Sequence, residues 1–374
     1  MKVLYLTYGK QSNVIRYLGN ALETKGMEID TFNVASSISY RHSKFKIPSF
    51  KPMNISNTLL AVFRYRKNWK MFFLRTSYAF RIMTHIAEKH IQKNIGKYDA
   101  ILQSGVIFAP SFKNLSIPYF PYIDHTYQIS KKYSQVADLP DYSLCASRKW
   151  EAMERDVYEK ASKIFTMSNF VKNSLINDYN IPTEKIVVVG AGPNFFQLPV
   201  LENKNYDGKT ILFVGVEFKR KGGYILLEAF QIVRKWIKDA KLIIIGSNPG
   251  IQENGVEIKG RLEYQDLLHV YEKASVFALP SLREPFGLSF LEAMAYQLPC
   301  IGTNIEAIPE IVDDGKSGFV VPIMNSKVLA EKIILLLSNK ELMTKMGEEG
   351  CCKVRERFNW CKVAEKIAYD LENS

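Results

Sequence analysis

Two glutamates, Glu284 and Glu292, bracket the run Glu-Pro-Phe-Gly-Leu-Ser-Phe-Leu-Glu with seven residues between them. Two carboxylates so placed can work as a general acid and base, or can clamp a ligand that carries hydroxyl groups. Pro285 crowds the preceding residue out of helical geometry and is itself pre-organised for a first helical position. The sequence therefore predicts Glu284 on a loop and a helix from Pro285 through about Tyr296, with Glu292 roughly two turns into it. Gly287 falls in the expected first turn, where backbone amides have no helical partner and the dipole favours anions. The arrangement suits a ligand with both phosphate and hydroxyl groups.

Three other segments carry chemistry. Ile211-Leu-Phe-Val-Gly215 reads as a strand ending at a glycine, followed by Arg220-Lys221-Gly222-Gly223 and an amphipathic helix. A cationic loop between a parallel strand and a helix can hold phosphate; it can equally be a polar surface turn. It is neither a G-x-x-x-x-G-K-[ST] loop nor a G-x-G-x-x-G fingerprint. Val256 to Gly260 is a short strand ending at a glycine, and the Gly260-Arg261-Leu262 loop after it could offer backbone to a nucleobase or simply turn the chain into a helix. Asp124 and His125 follow an apolar run at 118–123, so both are expected at a carboxyl strand end, a favoured place for site residues.

The elements that must position these residues are legible as short β-branched runs alternating with helical patterns. Strands are predicted at 3–6, 100–103, 118–123, 164–167 and 186–189, then at 211–214, 242–245, 276–279 and 299–302. Helices are predicted at 14–25, 81–93, 149–161, 169–179, 223–237, 264–274, 328–337 and 340–357. Continuous apolar strands between helices mean parallel sheets covered on both faces. The pattern restarts near residue 210 after a polar, irregular stretch at 201–209, which has a linker composition. Two doubly wound α/β domains follow, expected at 1–200 and 201–357, facing one another across a cleft. A final helix at 358–374 is expected to return to the first.

A chain of 374 residues with 47% hydrophobic and 24% charged residues is a globular protein of two ordinary domains. No apolar run is long enough to cross a membrane as a helix, and the first residues read as a buried strand, not a signal peptide. The five cysteines, Cys145, Cys300, Cys351, Cys352 and Cys361, lack C-x-x-C spacing, which fits a reduced cytoplasmic setting. The histidines show no metal-ligand spacing, and no metal or cofactor is expected. The net charge of +12 is concentrated: residues 41–90 hold eleven Lys or Arg against one acid, Glu88, together with nine aromatic residues. This mixture suits an anionic membrane surface; it is also what a solvated basic face over an aromatic core looks like. No nucleic-acid motif accompanies it.

Taken together, the segments resemble the family-four retaining glycosyltransferases, which have the GT-B fold. The run from Pro280 to Ala295 is similar to that family's E-x7-E signature, and the likeness continues through 299–303, 309–315 and 318–322. Val214-Gly215 with Arg220-Lys221-Gly222 resembles the family's phosphate-binding segment, and the helix at 150–160, the strand ending at Ser168 and the run from Glu184 to Asn194 resemble it too. The resemblance implies that Glu284 contacts donor sugar hydroxyls near the reacting carbon and that Glu292 binds ribose hydroxyls. It implies that Phe286, Gly287 and Leu288 offer backbone to sugar and diphosphate, and that Lys221 with Arg220 neutralises the leaving diphosphate. Gly215 would line the phosphate site, the Gly260-Arg261-Leu262 loop would meet the base, and His125 would lie near the sugar and acceptor hydroxyl. Gly9, Asp124, His125, Ser168 and Asn194 would make up the acceptor side in the first domain. Two positions depart from the family pattern. Val216 stands where many relatives carry Arg, and the first loop, Tyr8 to Ser12, has Gly9 where many have a Gly-Gly pair.

The expectation is a metal-independent, retaining glycosyltransferase that takes a sugar from a nucleotide-diphosphate donor, UDP mildly preferred, to a glycan or lipid-linked saccharide. It would work in the cytoplasm or on the cytoplasmic face of a membrane. Two other readings stand beside it: a nucleotide-sugar epimerase or phosphorylase of the same fold, and a non-catalytic relative that binds a membrane or partner.

Overall fold

Strands that are apolar on both faces need cover on both, and the helices between them supply it. The computed structural model describes residues 1–9, 13–39, 51–70, 72–133, 147–195, 197–201 and 204–374. They divide into two compact units, Met1–Gly190 with Val363–Ser374, and Ala191–Lys362.

The first unit contains β1 (Lys2–Thr7), α1 (Val14–Glu23), β2 (Glu28–Asn33), α2 (Pro52–Tyr65), α3 (Ser77–Lys93), β3 (Ala100–Ser104) and β4 (Tyr119–Ile123). It continues with α4 (Tyr127–Tyr133), α5 (Ser147–Lys160), β5 (Ile164–Thr166), α6 (Asn169–Tyr179) and β6 (Ile186–Val188). The strands form one parallel sheet in the order β2-β1-β3-β4-β5-β6. Leu4, Leu6, Ile101, Ile123 and Ile164 bury their side chains against Phe80, Met83, Val171 and Leu175 from the covering helices.

The second unit contains β7 (Thr210–Val214), α7 (Gly223–Trp236), β8 (Lys241–Ile245), β9 (Val256–Gly260), α8 (Tyr264–Lys273) and β10 (Val276–Leu279). Then come α9 (Leu288–Ala295), β11 (Cys300–Thr303), α10 (Ile308–Ile311), β12 (Gly318–Val321), α11 (Ser326–Leu337) and α12 (Lys340–Arg357). Its parallel sheet runs β12-β11-β10-β7-β8-β9. In both sheets the chain starts in the middle, builds one side, and returns to build the other. The switch points lie between β1 and β3 and between β7 and β10, where doubly wound sheets place ligands.

The division between units falls after Gly190, whereas the composition pointed to residue 200. Residues 191–195 are already held by the second unit. Trp360 Nε1 donates to the Pro193 carbonyl at 2.6 Å, and the Phe195 ring meets Tyr296 edge-on. Gly192 packs so closely on Trp360 that a Cβ would lie 2.7 Å from the indole. The last helix, α13 (Trp360–Glu372), leaves the second unit after Lys362. Its later residues join the first, where Asp370 pairs with Lys163 and Lys366 reaches the Val188 carbonyl.

Cys300, Cys351, Cys352 and Cys361 are free thiols, and Cys145 lies outside the described residues. Among the described residues no helix is long and apolar enough to cross a membrane.

Candidate active site

The helix carrying Glu292 starts at Leu288, three residues later than predicted. Gly287 is its N-cap rather than part of its first turn, and its φ of 103° cannot be continued as a helix. Pro285 and Phe286 form a bend before it. Glu292 is thus the fifth helical residue, in the second turn. A Cβ on Gly287 would stand 2.9 Å from the Phe290 ring and 3.3 Å from Glu284 Cγ, so the close turn itself requires glycine.

Around the β7–β10 switch point the side chains converge. Lys221, in the loop after β7, donates to Glu284 Oε2 in the loop after β10. The two make an ion pair with side chains 13% and 7% exposed. Ser281 Oγ donates to the same carboxylate oxygen at 3.2 Å. Gly215 ends β7 with its amide on the Ile245 carbonyl, and a Cβ there would meet the Lys221 stem at 3.0 Å. Gly222 caps α7 at φ 74°, and a Cβ on it would fall 1.8 Å from the Pro280 carbonyl oxygen. These two glycines let the Lys221 loop lie directly against the exit of β10.

Arg220 is turned to structural partners. Its Nε and Nη2 donate to Glu217 at 2.8 and 2.6 Å, and its Nη1 donates to the Arg283 carbonyl at 2.7 Å. Glu306, from the loop after β11, accepts the Glu284 backbone amide and pairs with Arg283 Nε at 3.3 Å, with its side chain fully buried. It holds φ at 47°, a conformation most non-glycine residues avoid. Sequence reasoning missed Glu306, Ser281 and Arg283. The signal for Glu306 was its place just beyond a parallel strand, in the same register of the fold as Glu284.

Glu292 is buried and uses both carboxylate oxygens. Tyr271 OH donates to one and Asn194 Nδ2 to the other, each at 2.8 Å. Burial raises its pKa, while these two donors and the Lys221 charge oppose the rise. The Tyr271 ring stacks on Tyr296 with centroids 5.7 Å apart, which fixes its hydroxyl. Asn194 was expected on the acceptor side in the first domain. It belongs instead to the second unit, because the chain has already crossed at Gly190 and Pro193 is tied to Trp360.

The remaining second-unit residues frame this group. Phe286 is buried and meets Phe358 edge-on, so only its backbone can face a ligand. Leu288 opens α9, and its amide lies in the helix's first turn. Gly260 ends β9 at φ 60°, its carbonyl accepting from the Gly246 amide at 2.6 Å, and Arg261 beyond it is exposed while Leu262 is half-buried. Gly215, Lys221, Glu284 and Gly260 all stand at carboxyl ends of their strands.

In the first unit, His125 Nδ1 lies 2.6 Å from Asp124 Oδ1, both just after β4. Desolvation pushes the Asp124 carboxyl upward, but the His125 ring and the Arg75 guanidinium hold it below the usual carboxylate range. Gly9 follows β1 at φ 62°; the rest of its loop, 10–12, lies outside the described residues. Ser168 is the N-cap of α6, its Oγ accepting from the Val171 amide at 3.3 Å, which is a structural use of the hydroxyl.

Parts of the chain resemble known proteins. Residues 194–351 match the family model described as Glycosyl transferases group 1. An uncharacterized glycosyltransferase of Methanocaldococcus jannaschii is 32% identical over 217 residues, 56% of this chain and 60% of that protein. The capsular polysaccharide biosynthesis glycosyltransferase CapM of Staphylococcus aureus is 29% identical over 231 residues, 55% of this chain and 60% of that one. The chain therefore spans three fifths of the length of these relatives. The crystal structure of Anabaena HepE in complex with UDP-glucose superposes with a TM-score of 0.69 at 15% identity, covering 100% of both chains. The fold is GT-B, two Rossmann-like units each built on a parallel six-stranded sheet.

Proposed function

We propose that the chain is a retaining glycosyltransferase that uses a nucleotide-diphosphate sugar. The observation that carries the reading is the Lys221–Glu284 pair at the β7–β10 switch point, beside the N-terminus of α9. Breaking a sugar–phosphate bond leaves positive charge on the sugar and negative charge on the departing diphosphate. In this reading Lys221 and the first-turn amides of α9 meet the leaving charge. Glu284 takes donor hydroxyls, and Glu292, held by Tyr271 and Asn194, takes the ribose. Transfer proceeds with retention: the acceptor hydroxyl attacks the face the diphosphate leaves, and its proton passes to a leaving phosphate oxygen. His125, oriented by Asp124, serves the acceptor side. Because protein groups supply the neutralising charge, turnover is expected to survive EDTA.

The complex of HepE with UDP-glucose, together with the shared fold, makes a uridine-diphosphate sugar the first donor to try. The acceptor belongs to a glycan or lipid-linked saccharide, in keeping with the similarity to a capsular polysaccharide enzyme. The test is a panel of nucleotide sugars assayed for release of nucleoside diphosphate with the parent chain and with Lys221→Ala. Release from at least one donor, lowered about a hundredfold or more in the variant, is expected. Equal release by both proteins would remove Lys221 from the reaction.

A further inference from the structure

Helix α2 carries an apolar face that the core does not cover, besides the one by which Met53, Ala61 and Tyr65 pack on it. A surface helix ordinarily turns its apolar stripe inward and its polar side chains to water. Here Asn54, Asn57 and Ala61 are buried, while Ile55, Leu59, Val62 and Phe63 face outward. Leu59 is 66% exposed and Phe63 87%. At about 100° per residue, these four outward residues fall within one arc of roughly 100° along the helix.

The inner face cannot be exchanged for the outer one at low cost. Asn57 Nδ2 donates to the Phe73 carbonyl at 2.7 Å, and its Oδ1 accepts from Thr76, the N-cap of α3. Asn54 Oδ1 accepts from the Ser39 amide at 3.3 Å. Rolling the helix to bury the apolar stripe would strand these buried polar groups. The fold therefore holds a row of aliphatic and aromatic side chains in the open.

The surrounding charge says what covers them. No Asp or Glu occurs from residue 31 to residue 87. Exposed Lys51 precedes the helix, and exposed Arg66 and Lys70 follow it. An apolar stripe with cations at both ends matches the boundary of an anionic bilayer, with acyl chains under the stripe and headgroup charge at its ends. We infer that the outer face of α2 inserts into the interface of an anionic membrane, with Leu59 and Phe63 as its anchors. This narrows the basic, aromatic window at 41–90 to one helix face; residues 40–50 lie outside the described residues. The inference goes beyond the proposed transfer reaction and does not depend on it, because the surface is read in the absence of any donor.

The experiment measures retention of the whole chain on vesicles of phosphatidylglycerol and phosphatidylcholine, and on phosphatidylcholine alone, at low and at 0.5 M salt. Parent protein is expected on the anionic vesicles. Leu59→Ser/Phe63→Ser is expected to bind about a hundredfold more weakly, at about tenfold per anchor. Both substitutions replace exposed side chains, so an unchanged thermal midpoint shows that folding is kept. Failure of the parent to bind anionic vesicles at low salt overturns the inference. Equal binding by the variant overturns it as well, because the attraction would then be charge alone. A parent that dimerises in solution, is monomeric as the variant and ignores vesicles would assign the face to a second copy of the chain and overturn the membrane.

Discussion

Lys221 and Glu284 stand 63 residues apart in the chain and meet as a nearly buried ion pair. The sequence suggested separate partners for them, a diphosphate for the lysine and a sugar for the glutamate. In the structure each is the other's partner, so a donor that engages both must exchange one contact for another. The pair then keeps two charges compensated while the site is empty of donor, and holds both side chains at the switch point.

Breaking such a pair from one side is expected to cost about 3 kcal/mol, because the surviving charge remains poorly solvated. Lys221→Met and Glu284→Gln should each lower thermal stability, and the double variant should lose less than the sum. Urea titration of the four proteins gives the coupling directly. Strictly additive losses would mean that the pair contributes nothing to folding. All three variants should be inactive, which separates the stabilising and reactive uses of the same residues.

In the proposed reaction Glu292 takes the ribose, and Tyr271 favours its ionised form. Tyr271→Phe keeps the stack on Tyr296 but deletes one of the two donors to the carboxylate. The Glu292 pKa, already raised by burial, should climb further. The acid limb of nucleotide binding should therefore move to higher pH, with binding at neutral pH weaker by about tenfold or more, near the contribution of one hydrogen bond to a charged group. Calorimetric titration with UDP across pH reads both quantities. An unmoved acid limb would detach Glu292 from nucleotide binding.

Stability should also fall with rising pH, through a group far from this clamp in sequence. Glu154 is buried in the first unit, where it accepts from Tyr158 OH at 3.0 Å, from Tyr179 OH and from the Tyr127 amide. Burial pushes its pKa up to about 7, against the pull of these donors. A raised carboxyl binds its proton more tightly in the folded chain. Its contribution is whole below the unfolded value and is lost as pH climbs through about 7. Denaturation at pH 4.5 and at pH 8 should differ by about 3 kcal/mol from this group, and Glu154→Gln should flatten that slope. The same slope in parent and variant would mean that another group titrates.

The sequence displayed the centres of both sheets and hid one margin of each. Central strand β10 is an unbroken apolar run, and the predicted limits of α6 and α12 coincide with the observed ones. Edge strand β2, Glu-Ile-Asp-Thr-Phe-Asn, is only half buried and carries no such run, and edge strand β12 opens on a glycine. Helix α2 escaped because Asn54 and Asn57 lie on its inner face while Ile55, Leu59, Val62 and Phe63 lie on its outer one, so its pattern shows no single core stripe. The segments around Glu284 and Lys221 were legible, since a proline and three glycines mark the turns that bring them to strand ends. Their mutual pairing was not, because it depends on which strands become neighbours. Arg220 looked like a phosphate ligand for the same reason: Glu217 and the Arg283 carbonyl reach it only in the folded loop.

Glu306 offers the sharpest separation of strain from use. Its φ of 47° is a left-handed conformation that costs a non-glycine residue about 1 kcal/mol or more. Its carboxylate accepts the Glu284 amide and pairs with Arg283, so it sets the backbone from which Glu284 projects. Glu306→Gly relieves the strain and removes the carboxylate; Glu306→Ala keeps the strain and removes it too. The glycine variant should therefore be the more stable of the two by about 1 kcal/mol. Both should lose turnover to a similar degree, since both release the Glu284 amide. Glu306→Gln keeps an acceptor for that amide and should recover a substantial part of the rate. A purely structural residue would instead give activities that follow thermal midpoints, with glycine more active than alanine. Measuring kcat alongside the thermal midpoint for all three variants decides between stability and positioning.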